Sequence, residues 1–189
     1  MTQVNPRDAL EAQIRECLGR AIYTHKTHSR MADRCGNVLR RVKYGQIVLS
    51  ALTASGLVAI LLTDTQWIKI ATTVIAFLTV ALSSYTKGFD PGAAAQKHRE
   101  TAAAIWPIRE SYLSLLTDIV GGQAELTALG ERRDQLQAQL AAIYRNAPHT
   151  DSAAYQDAQD ALKMREDYTF TTEEIDRFLP PALKLAPRS

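Results

Sequence analysis

Cysteine is scarce in this chain, with only Cys17 and Cys35 among 189 residues. So few thiols exclude a disulfide-stapled scaffold and a cysteine-rich metal site. Histidine is almost as rare: His25, His28, His98 and His149. His25 and His28 stand three apart and share a helix face, with Asp33 the nearest further ligand type. Two imidazoles without converging donors do not hold a metal, so no metal is expected and the pair reads as polar residues at a helix interface. There is no Gly-rich phosphate loop, no nucleophile–base pattern and no internal repeat. No catalytic residue and no cofactor are therefore expected, and the chain does not read as an enzyme. The net charge of +2 is too small to argue for nucleic acid, and none is expected as a partner.

The most informative absence is local. No charged side chain occurs between Lys43 and Asp64, and none between Lys69 and Lys87. About 20 such residues in a helix rise ~30 Å, the thickness of the hydrocarbon core of a bilayer. Two transmembrane helices are expected, over residues 44–63 and 67–86, with Trp67 and Tyr85 as interfacial aromatics at the ends of the second. The link between them is so short that it forces an antiparallel hairpin. The first apolar run starts too deep for a usual signal peptide, and Asp8, Glu11 and Glu16 ahead of it do not form a basic leader, so no cleavage is expected.

Charge distribution orients the hairpin. Residues 1–43 carry nine Lys/Arg against four Asp/Glu, whereas residues 121–189 carry eight against eleven. Arg40, Arg41 and Lys43 precede the first span and Lys87 follows the second. These residues read as topology and anionic-lipid contacts. Both termini are expected in the cytoplasm, where Cys17 and Cys35 stay reduced.

The remainder reads as cytoplasmic helices over 8–43, 91–120 and 123–146. The first has an apolar stripe through Leu10, Ile14, Cys17, Ala21, Met31, Cys35, Leu39 and Val42, and can run unbroken into the first span. Asp90-Pro91 looks like an N-cap followed by proline at the first helical position. Pro107 predicts a kink or break, and Gly121-Gly122 an interruption. Leu126, Leu129, Leu136, Leu140 and Ile143, with Arg133 among them, form a heptad seam. A weak polar helix follows Thr150, and Thr171-x-x-Glu174 fits a capping box. The tail from Pro180 is expected to be loosely ordered.

Within the spans, Thr72, Ala76, Thr79, Ser83 and Thr86 recur at steps of four and three. Ser50 and Thr53 lie in the inner half of the first span, beside the small-residue row Ala51, Ser55, Ala59. Such stripes serve helix packing or, in an oligomer, line a weakly polar pore; both readings stand. Ile70, Val74, Ile75, Phe77, Leu78, Ala81 and Leu82 read as the lipid side. No ionisable residue lies within either span, which argues against a proton-coupled transporter.

The arrangement resembles the bacterial SLATT family of two-transmembrane effector domains associated with nucleotidyltransferases and SLOG proteins. The resemblance rests on Ile22-Tyr23-Thr24-His25-Lys26, on the run Ile47-Val48-Leu49-Ser50-Ala51-Leu52-Thr53, and on Gln96-Lys97-His98-Arg99-Glu100 with Ile108-Arg109-Glu110. It covers residues 8–120 and extends towards 146. It implies a homo-oligomeric effector that permeabilises the cell membrane in abortive antiviral defence, with a nucleotidyltransferase or other defence component as partner and no catalytic residue to carry over. A membrane anchor or scaffold docking a cytoplasmic partner is the alternative. The expected fold is an all-α membrane protein: a two-helix transmembrane hairpin with a cytoplasmic helical bundle. A two-span domain would occupy residues 1–146 and a helical extension 147–189.

Overall fold

The computed structural model describes residues 5–122, 124–180 and 184. Among them every regular element is helical. No proline occurs between Pro6 and Pro91, so nothing removes a backbone donor along the first half of the chain. Helix α1 accordingly runs from Pro6 to Leu62 as one element of 57 residues, about 85 Å at 1.5 Å per residue. The expected helix at 8–43 and the first span are thus one rod. Asn5 starts it, its side-chain oxygen accepting from the Arg7 amide at 3.1 Å.

Three residues, Thr63, Asp64 and Thr65, lead into α2, Gln66–Phe89. A single residue, Asp90, then joins α2 to α3, Pro91–Gly121. Asp90 serves both helices: its amide donates to the Thr86 carbonyl at 3.1 Å, and its side chain accepts from the Ala93 amide at 2.9 Å. Its φ of 27° lies in the left-handed region, which aspartate tolerates better than most residues. Helix α3 continues through Pro107 without the expected break. Ile105 and Ile108 flank the proline and are buried, so packing holds the helix where a hydrogen bond is missing. Gly122, at φ 73°, ends it as the glycine pair suggested.

Helices α4 (Leu126–Asn146), α5 (Ser152–Lys163) and α6 (Thr172–Phe178) complete the chain. The capping box of α6 is present: the Thr171 amide donates to Glu174 Oε2 at 2.8 Å and the Glu174 amide to Thr171 Oγ1 at 3.2 Å. The expectation for the tail falls on residues 181–183 and 185–189, outside the described residues.

The core lies in the polar half of the molecule. Leu10, Ile14, Cys17 and Ala21 of α1 are buried against Ile105, Tyr112 and Leu115 of α3. Leu129 and Leu136 of α4 close this cluster, and Leu140 and Ile143 pack at its edge. Arg133, the basic residue of the heptad seam, turns aside and donates to Gln13 Oε1 at 2.9 Å. Fully buried Ala154, Ala158 and Ala161 line α5, which packs on α1; such small side chains permit close approach.

The apolar ends of α1 and α2 behave oppositely. None of the most apolar stretch of α1 is buried inside the chain. Leu57, Leu61, Phe77 and Val80 are all more than half exposed. Both helices are long and apolar enough to cross a membrane.

Candidate functional site

The two apolar helices touch along one seam. Gly45 lies against Leu82, Gln46 against Ser83 and Thr86, and Gly56 against Thr72. These pairings set an antiparallel register that brings Leu49 level with Thr79 and Thr53 level with Ile75. Thr72 is buried, at 5% exposure. A methyl group on Gly56 would sit 2.3 Å from Thr72 Oγ1, so the absence of a side chain is what allows this contact.

The sequence-predicted residues divide across that seam. Thr72 is buried, and Thr53, Ala76, Thr79 and Thr86 are half-buried beside it, whereas Ser50 and Ser83 are exposed. The hydroxyls are largely satisfied within their own helices. Thr53 donates to the Leu49 carbonyl at 2.8 Å, Thr79 to Ile75 at 2.9 Å and Thr86 to Ser83 at 2.9 Å. Near the charged end, Gln46 Nε2 reaches Thr86 Oγ1 at 3.3 Å. Two expectations shift. Ala51 and Ser55 are exposed, and of the row Ala51, Ser55, Ala59 only Ala59 is half-buried. Ile75 and Leu82 are half-buried, whereas Ile70, Val74, Phe77, Leu78 and Ala81 remain exposed. Arg40, Arg41, Lys43 and Lys87 are exposed at the base of the two apolar segments.

Below this base lies a second constellation, which sequence reasoning did not assemble. His28 Nδ1 and His98 Nδ1 are 2.9 Å apart and buried. One nitrogen must donate and the other accept, so the accepting ring is neutral with its proton on Nε2. His25, one turn away, meets the Tyr168 hydroxyl at 2.9 Å. Tyr168 is held on its faces by cations: the Arg109 guanidinium lies 4.5 Å and Lys26 Nζ 4.6 Å from the ring centre. Arg109 also stacks on Trp106 at 4.4 Å. Asp167, beside Tyr168, pairs with Lys26 at 2.5 Å and Arg30 at 3.2 Å. Asp167 and Tyr168 thus clip the segment after α5 onto α1 and α3.

Electrostatics follow from this packing. Burial, reinforced by Arg109 and Lys26, lowers the His25 pKa to about 4. Burial and the facing His98 lower that of His28 to about 4. His98 is lowered as well, chiefly by burial. The hydrogen bond from Lys26 holds the Asp167 carboxyl below its usual range, and burial raises the Tyr168 phenol. Among the described residues no three His, Cys, Asp or Glu side chains converge on a point where a metal would sit. Asp33 turns to Arg30, at 4.0 Å, rather than to the histidines. Cys17 is buried, Cys35 is half-buried, and both are free thiols.

The sequence matches the profile of the SMODS and SLOG-associating 2TM effector domain family 4 over residues 10–174. The chain belongs to this SLATT family. The match takes in both apolar helices, the histidine pair and the Asp167-Tyr168 clip, so the family's unit includes α5 as well as the helices up to Asn146. No curated protein and no solved structure matches the chain. SLATT domains are 2TM effector domains, and the two unburied apolar helices are what that name requires.

Proposed function

We propose that this SLATT protein is a non-catalytic membrane effector of a bacterial antiviral system, which oligomerises in the inner membrane and permeabilises it, causing abortive cell death. The observation that carries the reading is mechanical. The first apolar segment is a direct continuation of the helix that forms the core of the polar bundle, and the second is joined to α3 by one doubly capped residue, Asp90. A rearrangement of the bundle therefore moves both spans with little slack.

The basic collar supports a cytoplasmic bundle with both termini inside. A single helix pair encloses no channel, so the reading requires a homo-oligomer. Seam hydroxyls bonded to their own helices suit a closed resting pair. Ser50 and Ser83, already exposed, are the first hydroxyls available to a lumen, and rotation about the seam would add Thr53, Ala76 and Thr79. The lipid bilayer is the principal partner. A nucleotidyltransferase or another defence component acting on the bundle is the upstream partner, with no nucleic acid bound.

Induced expression with a membrane-potential dye tests this. An effector depolarises the cells before growth stops. An anchor or scaffold leaves the potential intact at the same protein level, and that result would overturn the reading.

A further inference from the structure

Between α1 and α3, just below the apolar segments, lies an open cavity of about 590 Å³. Arg30, Asp33, Gly36, Asn37, Arg40 and Arg99 line it. Three guanidinium groups thus face one carboxylate. Arg30 is engaged by Asp167, yet its Nε is buried without a hydrogen-bond partner. Among the described residues the Arg40 guanidinium has only the neutral Asn37 side chain as partner. Arg99 makes no ion pair or hydrogen bond among the described residues; its Nη2 lies over Gly36, 3.4 Å from where a methyl group there would stand. The Arg99 guanidinium thus packs over α1 at Gly36, on the lining of the cavity.

Depth identifies the ligand. The uncharged segment begins at Tyr44, so Arg40 lies about 6 Å and Gly36 about 12 Å along the helix from the hydrocarbon edge, at 1.5 Å per residue. The headgroup layer occupies roughly 5–8 Å on each side of the hydrocarbon. The Arg40 rim is at phosphate depth, and the floor lies just beneath it. Leu39, also on the lining, gives the rim an apolar edge suited to the glycerol end of a lipid. Arg41, Lys43 and Lys87 stand outside this lining, on the surrounding collar.

We propose that this cavity binds the headgroup of an anionic glycerophospholipid, with Arg99 and Arg40 donating to its phosphodiester. The proposal rests on the membrane reading of α1 and α2. It differs from a diffuse basic collar in requiring one lipid at one place. Guanidinium groups suit it because their fork matches two phosphate oxygens at once.

Native mass spectrometry of the full-length protein in detergent, titrated with phosphatidylglycerol or phosphatidylcholine, tests the site. One phosphatidylglycerol per chain should be retained with about tenfold preference, and Arg99→Gln should remove about tenfold of its affinity, a loss typical of a charge-assisted pair. Arg99→Lys should fall between, and Arg41→Gln should change little. Matched circular dichroism spectra confirm that the variants are folded. Equal losses from Arg99→Gln and Arg41→Gln would overturn the site in favour of a diffuse collar. Displacement by glycerol 3-phosphate at the lipid's own concentration would overturn the assignment to lipid. Failure to insert into vesicles of either composition would overturn the membrane reading itself, an outcome distinct from insertion without lipid preference.

Discussion

Gly56 and Thr72 meet across the two apolar helices, with the threonine side chain filling the space where a Cβ on residue 56 would be. A methyl group there would also meet Thr72 Cγ2 at 2.9 Å and Cβ at 3.1 Å, so rotating the hydroxyl does not relieve the clash. Gly56→Ala must separate the backbones, with an expected loss of about 1–3 kcal/mol. Thr72→Ala on the Gly56→Ala background should recover part of it. A double-mutant cycle of thermal stability in detergent measures the coupling. Additive losses would mean that the two residues do not meet.

Asp90 is the joint between α2 and α3, and its side chain is the cap. Asp90→Ala should destabilise by about 1 kcal/mol through loss of the N-cap. It also places a residue less tolerant of φ 27° in the joint. Asp90→Asn should be nearly neutral. Hydrogen exchange of the Ala93 amide reports the cap directly; equal protection in Asp90→Ala and wild type would contradict it.

Acid should loosen the bundle. Unfolded imidazoles bind protons near pH 6.5, whereas folded His25 and His28 resist until about 4. The unfolded state therefore takes up more protons as pH falls between these values. Stability is complete above pH 6.5 and declines from there towards 4, by an amount on the order of 2 kcal/mol per histidine. A second protonation would also set two Nδ1 donors against each other at His28 and His98. Melting temperature measured from pH 7.5 to 5 checks this, and His28→Gln should flatten the slope. A profile without slope for wild type would show that the histidines titrate normally.

Much of this architecture was legible in the chain. The two uncharged runs, the caps at Asp90 and Thr171 and the glycine stop at Gly122 are local signals, and the structure places helix boundaries there. Pro107 does not break α3, because tertiary packing around Ile105 and Ile108 outweighs a local breaking preference. The contact between the two apolar helices was not legible, because period alone does not say which of several small-residue stripes faces the neighbouring helix, and Gly56 rather than Ala51 or Ser55 meets Thr72. The Asp167-Tyr168 clip was illegible, because Lys26, Arg109 and Tyr168 are brought together only by folding. His28 and His98 likewise pair across 70 positions.

The clip makes a further expectation. Asp167→Asn removes the charge that pairs with Lys26 and Arg30, and Tyr168→Ala removes the ring between the cations. Either change should detach the segment carrying α6 and raise its protease cleavage several-fold, while the α1–α3 core stays folded. Limited proteolysis with mass spectrometry reads the site of cleavage. Unchanged cleavage between Lys163 and Thr172 would contradict the clip.

Thr79 stands level with Leu49 near the middle of the uncharged stretch of α2. Thr79→Leu should crowd and dewet any path formed there and so reduce ion leakage, whereas Phe77→Leu, on the exposed face, should do little. Leakage from cells at matched protein levels separates them. Equal leakage would assign Thr79 to packing alone and move the path to the Ser50 face.

The central claim, that this chain itself opens the membrane, is tested most directly by purified full-length protein in potassium-loaded liposomes free of other proteins. Potassium release that rises more steeply than linearly with the protein-to-lipid ratio is the predicted result, because several helix pairs are needed to enclose a path. Inserted protein that oligomerises yet releases no potassium at any ratio would contradict it.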